Sequence, residues 1–195
     1  MPNLYIIAGC NGAGKTTASF TVLPEMLDCD EFINADEIAR GISPLNPEKA
    51  AIEAGRYMLS KIDKLIATKK DFAFETTLAT KSYVNTVQRA KQDGYQIVLV
   101  YFWLDSVSLA IERVKTRVHD GGHNIPEPVI IRRYYSGLSN LFNLYIPICD
   151  YWMIFDNSVA PSELVAEGYS NGEMEVRKPD SFEKIKNPKR HDQER

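Results

Sequence analysis

The stretch Gly9-Cys10-Asn11-Gly12-Ala13-Gly14-Lys15-Thr16 decides how this chain folds. It follows the apolar run Leu4–Ala8, which is typical of a buried strand, and the pattern from Thr16 onward is helical. A glycine-rich loop G-x-x-x-x-G-K-[ST] between a strand and a helix cradles a polyphosphate with its backbone N–H groups. Lys15 would reach the β- and γ-phosphates, and the Thr16 hydroxyl would bind Mg²⁺. The loop therefore predicts a nucleoside triphosphate site.

The nucleotide contacts are predicted for the loop and the residue after it. These residues are Gly9, Asn11, Gly12, Ala13, Gly14, Lys15, Thr16 and Thr17. Cys10 reads as a small residue that fills a tight turn. A redox-sensitive loop is the alternative, because a helix N-terminus lowers the pKa of a thiol.

The composition fits a modest soluble enzyme. A chain of 195 residues that is 44% hydrophobic can bury one substantial core. The net charge of −3 gives no general attraction to nucleic acid or to a membrane, and neither is expected as a partner. The three cysteines lack metal-type spacing, and no signal peptide or membrane span is visible, so a reduced cytoplasm is predicted.

Strand-like and helical patterns alternate along the chain. The predicted strands are Asn3–Ala8, Glu31–Asn34, Asp71–Thr76, Tyr95–Leu104 and Asp150–Phe155. The predicted helices follow Lys15 and cover Pro47 to about Thr68, Ser82–Asp93, Ser106–Val118, and Glu127 to about Asn143. This alternation predicts an α/β fold, a doubly wound and mostly parallel sheet with helices on both faces.

The end of the sequence differs from this pattern. Glu163–Gly168 and Glu173–Val176 flank Ser170-Asn171-Gly172, which predicts a small β-hairpin. Residues 179–195 are charge-dense and poor in apolar groups, which predicts a solvated tail around one short helix. Residues 1–178 are then one domain.

The absence of other motifs narrows the class of nucleotide-binding protein. The chain has no Asn-Lys-x-Asp element for guanine, and Asp105 stands alone after an apolar strand, where it caps a helix as readily as it binds a metal. A small phosphotransferase is favoured. A nucleotide-gated regulatory module and a kinase of nucleic-acid ends are the alternatives.

Two carboxylates lie at the carboxyl ends of predicted strands, where this architecture assembles its sites. Asp36 can accept the proton of an acceptor hydroxyl or bind Mg²⁺ through water. It can also simply cap a helix over Glu37–Arg40. Glu75 is the second candidate base, with a structural ion pair to a buried arginine as its alternative.

Two arginine clusters flank a glycine-bearing loop. Arg113 and Arg117 lie four residues apart and so share a helix face, and Arg132-Arg133 follow the glycines. Gly121-Gly122 reads as a flexible hinge, and the whole arrangement is typical of a kinase lid. His119 and His123 do not predict a zinc site, because the glycines interrupt a helix and no third ligand is obvious.

Several of these motifs together resemble the zeta-toxin family of P-loop kinases. The resemblance covers residues 5–158, and these segments carry it. They are Gly9–Thr17, Asn34-Ala35-Asp36, Ala54-Gly55-Arg56, Phe74-Glu75-Thr76-Thr77-Leu78, Arg113-Val114, Arg117-Val118, Gly121-Gly122-His123-Asn124-Ile125-Pro126 and Ile131-Arg132-Arg133-Tyr134. The Phe-Glu-Thr-Thr and Gly-Gly-His elements are more specific than the phosphate loop.

The resemblance implies a kinase fold with ATP and Mg²⁺, in which Lys15 contacts phosphate and Thr16 the metal. Asp36 would be the base at the acceptor hydroxyl. Arg117 and either Arg132 or Arg133 would stabilise the transferred phosphoryl group, and Arg132 is the residue we predict. Glu75 would bind or position the acceptor, and Thr76 and Arg40 are the further residues we predict to bind it.

The best-known members of that family phosphorylate a sugar hydroxyl of UDP-N-acetylglucosamine and poison cell-wall synthesis. This sequence lacks the His-Pro that follows the corresponding aspartate in those toxins, and has Glu37-Ile38-Ala39-Arg40 instead. It therefore looks closer to the chromosomal, toxin-like branch. The predicted acceptor is a small-molecule hydroxyl, and the sequence does not indicate an antitoxin partner.

Overall fold

A computed structural model describes residues 1–122 and 124–188 of the chain. His123 and residues 189–195, which belong to the predicted lid and tail, lie outside the described residues. The strands are β1 (Asn3–Gly9), β2 (Phe32–Ile33), β3 (Phe72–Thr76), β4 (Gln96–Trp103), β5 (Tyr151–Asp156), β6 (Glu163–Tyr169) and β7 (Met174–Val176). The helices are α1 (Lys15–Met26), α2 (Ala35–Ile42), α3 (Pro47–Ala67), α4 (Val84–Gln92), α5 (Val107–His119), α6 (Glu127–Asn140) and α7 (Pro179–Lys186).

All seven strands form one sheet in the order β2-β3-β1-β4-β5-β6-β7. The pairings among β2, β3, β1, β4 and β5 are parallel, and those of β6 with β5 and with β7 are antiparallel. The predicted α/β fold with a mostly parallel sheet is therefore confirmed. The predicted C-terminal hairpin is also present, and it extends the main sheet at one edge.

The core lies on both faces of the central strands. Seven consecutive residues of β4, Ile97–Trp103, are buried, which requires cover on both faces of the strand. Helix α3 buries one face through Ala50, Ala54, Met58 and Ile62, which are spaced four residues apart. No helix within residues 1–122 and 124–188 has an apolar stretch long enough to cross a bilayer.

Helix α7 departs from the expected solvated tail. The short helix was predicted, but Phe182 is 6% exposed and Ile185 is fully buried in the main core. Burial of two such side chains contributes on the order of 3–6 kcal/mol. Residues 179–186 therefore pack on the sheet and on α6, and the division of the chain after residue 178 stays a prediction.

Helix α6 also ends differently from its prediction. The regular helix stops at Asn140 and continues as a π-helical turn, Leu141–Tyr145, and a 3₁₀ turn, Ile146–Ile148. Near this end, a Cβ atom on Gly137 would lie 2.6 Å from the backbone oxygen of Thr77. The glycine lets α6 lie directly against the loop that follows β3.

Candidate active site at the carboxyl edge of the sheet

The parallel register brings three strand ends to one place. Ile33 of β2 is level with Phe74 of β3, and Ile7 of β1 is level with Glu75. Asn34, which follows β2, therefore lies beside Glu75, and both are next to the loop that leaves β1. The carboxyl ends of parallel strands are where open α/β sheets bind their ligands.

The loop itself needs glycine at several positions. Gly9, Gly12 and Gly14 have φ angles of 146°, 80° and 77°, in the region that other residues rarely adopt. A Cβ atom on Gly9 would lie 2.3 Å from the backbone oxygen of Phe102. Ala13 is fully buried, and its backbone oxygen accepts a hydrogen bond of 2.7 Å from Asn157 Nδ2. Gly9 and Ala13 thus shape the loop that Lys15 and Thr16 complete.

Lys15 is buried at the start of α1, with 6% of its side chain exposed. Its Nζ donates a hydrogen bond of 3.0 Å to the backbone oxygen of Cys10 and lies 3.5 Å from Glu75 Oε1. The ammonium group is thereby held at the mouth of the loop, where it can meet a phosphate.

A hydrogen-bond network links Thr16, Glu75 and Asn34. Thr16 Oγ1 donates to Glu75 Oε2 at 2.7 Å, and Asn34 Nδ2 donates to the same oxygen at 2.8 Å. A hydroxyl and a carboxylate suit Mg²⁺, which takes oxygen ligands and keeps several waters or phosphate oxygens. Within the described residues no group of three or more His, Cys, Asp or Glu could hold a metal by itself. The Thr16 hydroxyl and the Glu75 carboxylate therefore fit a Mg²⁺ ion that binds together with a nucleotide.

Helix α2 begins at Ala35, two residues earlier than the helix over Glu37–Arg40 that Asp36 would cap. Its N-cap is Asn34, whose side chain accepts from the backbone N–H groups of Asp36 and Glu37, so Asp36 is not the cap. Asp36 lies in the first turn, where the helix dipole stabilises a carboxylate. The spacing Asn34-x-x-Glu37 is the sequence signal for this cap.

Two adjoining spaces open at this edge. The first, the loop cleft, has a volume of about 320 Å³. The predicted site residues that line it are Asn11, Gly12, Gly14, Lys15, Thr16, Thr17, Asp36, Arg40, Glu75 and Arg117. The second, the threonine cavity, has a volume of about 170 Å³ and is lined by Thr76, Thr77, Thr80, Tyr83 and Arg133. Asp36, Glu75 and Lys15 line both spaces.

The two neighbouring arginines of α6 are placed differently. Arg132 is exposed, whereas Arg133 is half-buried, lines the threonine cavity and donates to Asn11 Oδ1 at 3.3 Å. Burial lowers the pKa of Arg133, and the nearby Asp36 carboxylate opposes this shift. The structure thus brings Arg133 to the loop and leaves Arg132, the residue predicted for the phosphate, on the surface.

Arg113 and Arg117 both reach the loop cleft from α5. Arg113 Nη2 donates to the backbone oxygen of Ser158 at 2.9 Å. The C-cap of α5 is Asp120, and the two glycines predicted as a hinge follow it and bond back to the helix. Gly121, with a φ of 86°, donates to the oxygen of Val118, and Gly122 donates to that of Arg117. This pair of bonds is a Schellman motif, which fixes the last turn of α5.

Asp105 and His119 are not among the described residues that line the loop cleft, and Cys10 is unsuited to a redox role. Asp105 lines a separate cleft with Trp103 and Tyr134, and Ser106, not Asp105, caps α5. His119 is exposed. Burial raises the pKa of the Cys10 thiol to about 11, which removes the thiolate that a redox-sensitive loop needs.

Sequence reasoning missed two residues that support the loop. The sequence pattern places Asn34 at the end of a predicted strand, although its spacing to Glu37 is that of a helix cap. Asn157 follows β5 and bonds to Ala13 across 144 residues, a contact that no local pattern signals.

The fold and the loop define an α/β protein with a P-loop nucleotide site. The chain belongs to the Zeta toxin family, whose model matches residues 1–145. An uncharacterized protein of Haemophilus influenzae is 35% identical over 127 residues, covering 65% of this chain and 88% of that protein.

Two solved structures are similar to the whole fold. A complex of AvrRxo1-ORF1 and AvrRxo1-ORF2 with ATP matches with a TM-score of 0.75 and 17% identity, covering 97% of this chain and 64% of the other. A structure from the PezAT chromosomal toxin–antitoxin system of Streptococcus pneumoniae matches with a TM-score of 0.67 and 18% identity. It covers 95% of this chain and 78% of the other. At these identities the likeness is one of fold.

Proposed function

We propose that this protein is a kinase that transfers the γ-phosphoryl group of ATP to a hydroxyl of a small molecule. The observation that carries the proposal is the position of Asp36, which lines both the loop cleft and the threonine cavity. A carboxylate at that junction can accept the proton of an acceptor hydroxyl as the hydroxyl attacks. Bound ATP supplies the phosphoryl group, and Mg²⁺ neutralises charge on its phosphate oxygens.

The cations of the chain converge on the same place. Lys15, Arg113 and Arg117 line the loop cleft, and Arg133 lines the adjoining cavity. Phosphoryl transfer requires positioning and charge stabilisation more than covalent chemistry from the protein. Lys15 is positioned by the loop, and Arg113 and Arg117 by helix α5, before any ligand binds. Cations placed in this way stabilise the negative charge that develops on the phosphoryl group without having to reorganise.

The threonine cavity supplies hydrogen-bonding groups for an acceptor. It is lined by Thr76, Thr77, Thr80 and Tyr83 together with Asp36. Burial and the Asp36 carboxylate raise the pKa of Tyr83, so its hydroxyl stays protonated, and it donates to Met58 Sδ at 3.3 Å. Such a lining suits a polyhydroxylated molecule. The family resemblance makes nucleotide sugars, with UDP-N-acetylglucosamine first, the acceptors to test.

The test is an acceptor screen with ATP labelled on the γ-phosphate. Nucleotide sugars, nucleosides and simple metabolites are offered to the wild type and to Asp36→Asn. We expect transfer to at least one acceptor and a loss of about 10²-fold or more in the variant. Asp63→Asn is the control, because it also removes a carboxylate charge, and Asp63 pairs with Arg89 on the exposed surface, outside the residues that line the two spaces. It should retain most of the rate.

Two results would contradict this assignment. If ATP is hydrolysed slowly and no acceptor is labelled, the chain is a nucleotide-gated module and not a kinase. If Asp36→Asn transfers at the wild-type rate, Asp36 is not the base and Glu75 becomes the candidate.

A protein partner is a separate proposal, which rests on the family alone. An antitoxin would relieve growth inhibition caused by expression of this chain. Expression of the wild type and of Asp36→Asn in a bacterial host tests the first requirement, because only an active toxin slows growth.

A further inference from the structure

Asn34 makes contacts that its role as a helix cap does not require. Its side chain is buried, with 7% of the residue exposed, at the point where β2 passes into α2. Oδ1 accepts from the backbone N–H groups of Asp36 at 2.8 Å and Glu37 at 3.3 Å. Nδ2 donates to Glu75 Oε2 at 2.8 Å and lies 3.4 Å from Thr16 Oγ1.

The orientation of this amide follows from its partners. The two backbone N–H groups of α2 are donors, so the oxygen of the amide must face them. The amino group must then face the Glu75 carboxylate, which is an acceptor. A flipped amide would set donors against donors on one side and acceptors against each other on the opposite side.

A cap alone does not need asparagine. Serine and aspartate are N-caps of similar strength, and either would satisfy the N–H groups of Asp36 and Glu37. Neither offers an amino group to Glu75, and aspartate would place a second negative charge beside it. Among common N-cap residues, only asparagine supplies both the acceptor for the helix and the donor for the carboxylate.

We propose that Asn34 is a positioning residue that holds the metal side and the acceptor side of the site in one arrangement. Its amino group fixes the Glu75 carboxylate against the Thr16 hydroxyl, and its oxygen fixes the turn of α2 that carries Asp36. The proposal rests on the proposed function, since it assigns Thr16 and Glu75 to Mg²⁺–ATP and Asp36 to the acceptor.

Asn34→Ser is the main test, because serine keeps the cap and removes the amino group. ATP affinity is measured by calorimetry with and without Mg²⁺, beside a thermal melt. We expect a melting temperature close to that of the wild type and unchanged affinity without Mg²⁺. The tightening of ATP binding by Mg²⁺ should fall by roughly 10- to 100-fold, the usual effect of losing a partner that orients metal ligands. Where transfer is measured, kcat should fall while the KM for the acceptor stays within about threefold.

Asn34→Asp provides a second variant should serine destabilise the chain. It also keeps the cap and lacks the donor, and because its added carboxylate lies beside Thr16 and Glu75, its Mg²⁺ dependence of ATP binding should differ from that of the wild type. Ser106→Ala is the control for loss of a cap, since Ser106 caps α5 through the N–H of Leu109. It should lower the melting temperature and leave the effect of Mg²⁺ on ATP binding intact.

A double-mutant cycle shows whether Asn34 acts through Glu75. In a Glu75→Gln background, Asn34→Ser should change Mg²⁺-dependent ATP affinity by less than about threefold. Equal effects in both backgrounds would overturn the proposal, as would Asn34→Ser and Asn34→Asp proteins with wild-type Mg²⁺ dependence. These binding measurements need no acceptor. If the wild type binds Mg²⁺–ATP but transfers no phosphoryl group, the proposed kinase function is wrong. The double-mutant cycle still tests the role of Asn34 in that case.

Discussion

Polar side chains are buried at the loop and in the adjoining corner of the sheet. Asn11, Lys15, Ser19 and Asn34 are the buried polar or charged residues among those whose burial the structure describes, which are 1–20, 23–24, 27–122 and 124–188. Burying such groups costs free energy unless each finds a partner. Asn11 accepts from Arg133, Lys15 donates to the loop, Ser19 donates to the oxygen of Lys15, and Asn34 bonds to Glu75. At the residue scale, these buried polar side chains therefore lie at or next to the proposed site for Mg²⁺–ATP.

The two adjacent arginines of α6 give a prediction with an internal control. Arg133→Ala should reduce phosphoryl transfer by roughly 10²-fold or more, because Arg133 lines the threonine cavity and contacts the loop. Arg132→Ala removes the same charge from the exposed side of the helix and should change the rate by less than about threefold. Steady-state rates at saturating ATP decide between them. The reverse result would restore Arg132 to the role that the sequence predicted.

The cysteines give a prediction about pH. Burial raises the thiol pKa to about 11 for Cys10 and Cys29 and to about 12 for Cys149. A raised thiol pKa keeps the group protonated through the neutral range, so at pH 8 only about one thiol in 10³ is a thiolate. Iodoacetamide at pH 8 should leave the native protein unmodified over minutes and modify all three thiols in denaturant, as mass spectrometry would show. Rapid alkylation of Cys10 that ATP prevents would instead support a reactive loop.

At the scale of the element, the end of α5 determines where Arg117 lies. Gly122 passes so close to this residue that a Cβ atom would lie 2.6 Å from Arg117 Cγ and 2.7 Å from its backbone oxygen. Gly121 has open space around its Cβ position but a φ of 86°. The first glycine of the Schellman motif is therefore needed for its backbone conformation, and the second for its small size.

Replacement of Gly122 should mainly affect the transfer rate, and replacement of Gly121 should mainly affect stability. Gly122→Ala should displace Arg117 and lower the transfer rate by roughly 10-fold or more, with a smaller effect on stability. Gly121→Ala should cost about 1 kcal/mol of stability through backbone strain and leave the rate near that of the wild type. Rates and thermal melts of both variants separate the effects. Equal rates in the two variants would show that Gly122 does not position Arg117.

The helices and strands that the sequence predicted well are those with long, regular apolar patterns, such as β4 and α3. The start of α2 was misread because Asn34 and Asp36 are both good caps, and the choice depends on which residue leaves the two-residue strand β2. The sequence does not show which of Arg132 and Arg133 faces the loop. The two residues are adjacent in α6, so which one faces the loop depends on how the helix is rotated about its axis. The packing of α7 was missed because charged neighbours conceal Phe182 and Ile185.

At the scale of the whole molecule, the order of the strands assembles the site. Alternating strands and helices predict a parallel sheet, but the local pattern does not say that β3 lies between β2 and β1. That order depends on contacts between distant segments, and it is what places Asn34, Glu75 and the loop side by side.

Ligand binding where the ends of β1, β2 and β3 meet should stabilise the entire fold. Mg²⁺–ATP at about 100 times its Kd adds about 2.7 kcal/mol to the free energy of unfolding. For a chain of this size we expect a rise in melting temperature of about 5–10 °C. Lys15→Ala should melt near the ligand-free wild type and show a rise of less than about 2 °C at the same ligand concentration. Lys91→Ala, whose ion pair with Asp150 lies outside the cleft, should respond like the wild type. A full response in Lys15→Ala would show that the nucleotide binds elsewhere.

The packing of α7 has a consequence for how the protein is made. Among the described residues, all those that line the loop cleft and the threonine cavity precede α7 in the chain, and translation proceeds toward the later residues. On the ribosome, a nascent chain can assemble its nucleotide site while the core that Phe182 and Ile185 close is still open to solvent. During that interval ATP would act as a ligand that holds the unfinished fold together, and chaperones would compete for the uncovered apolar surface.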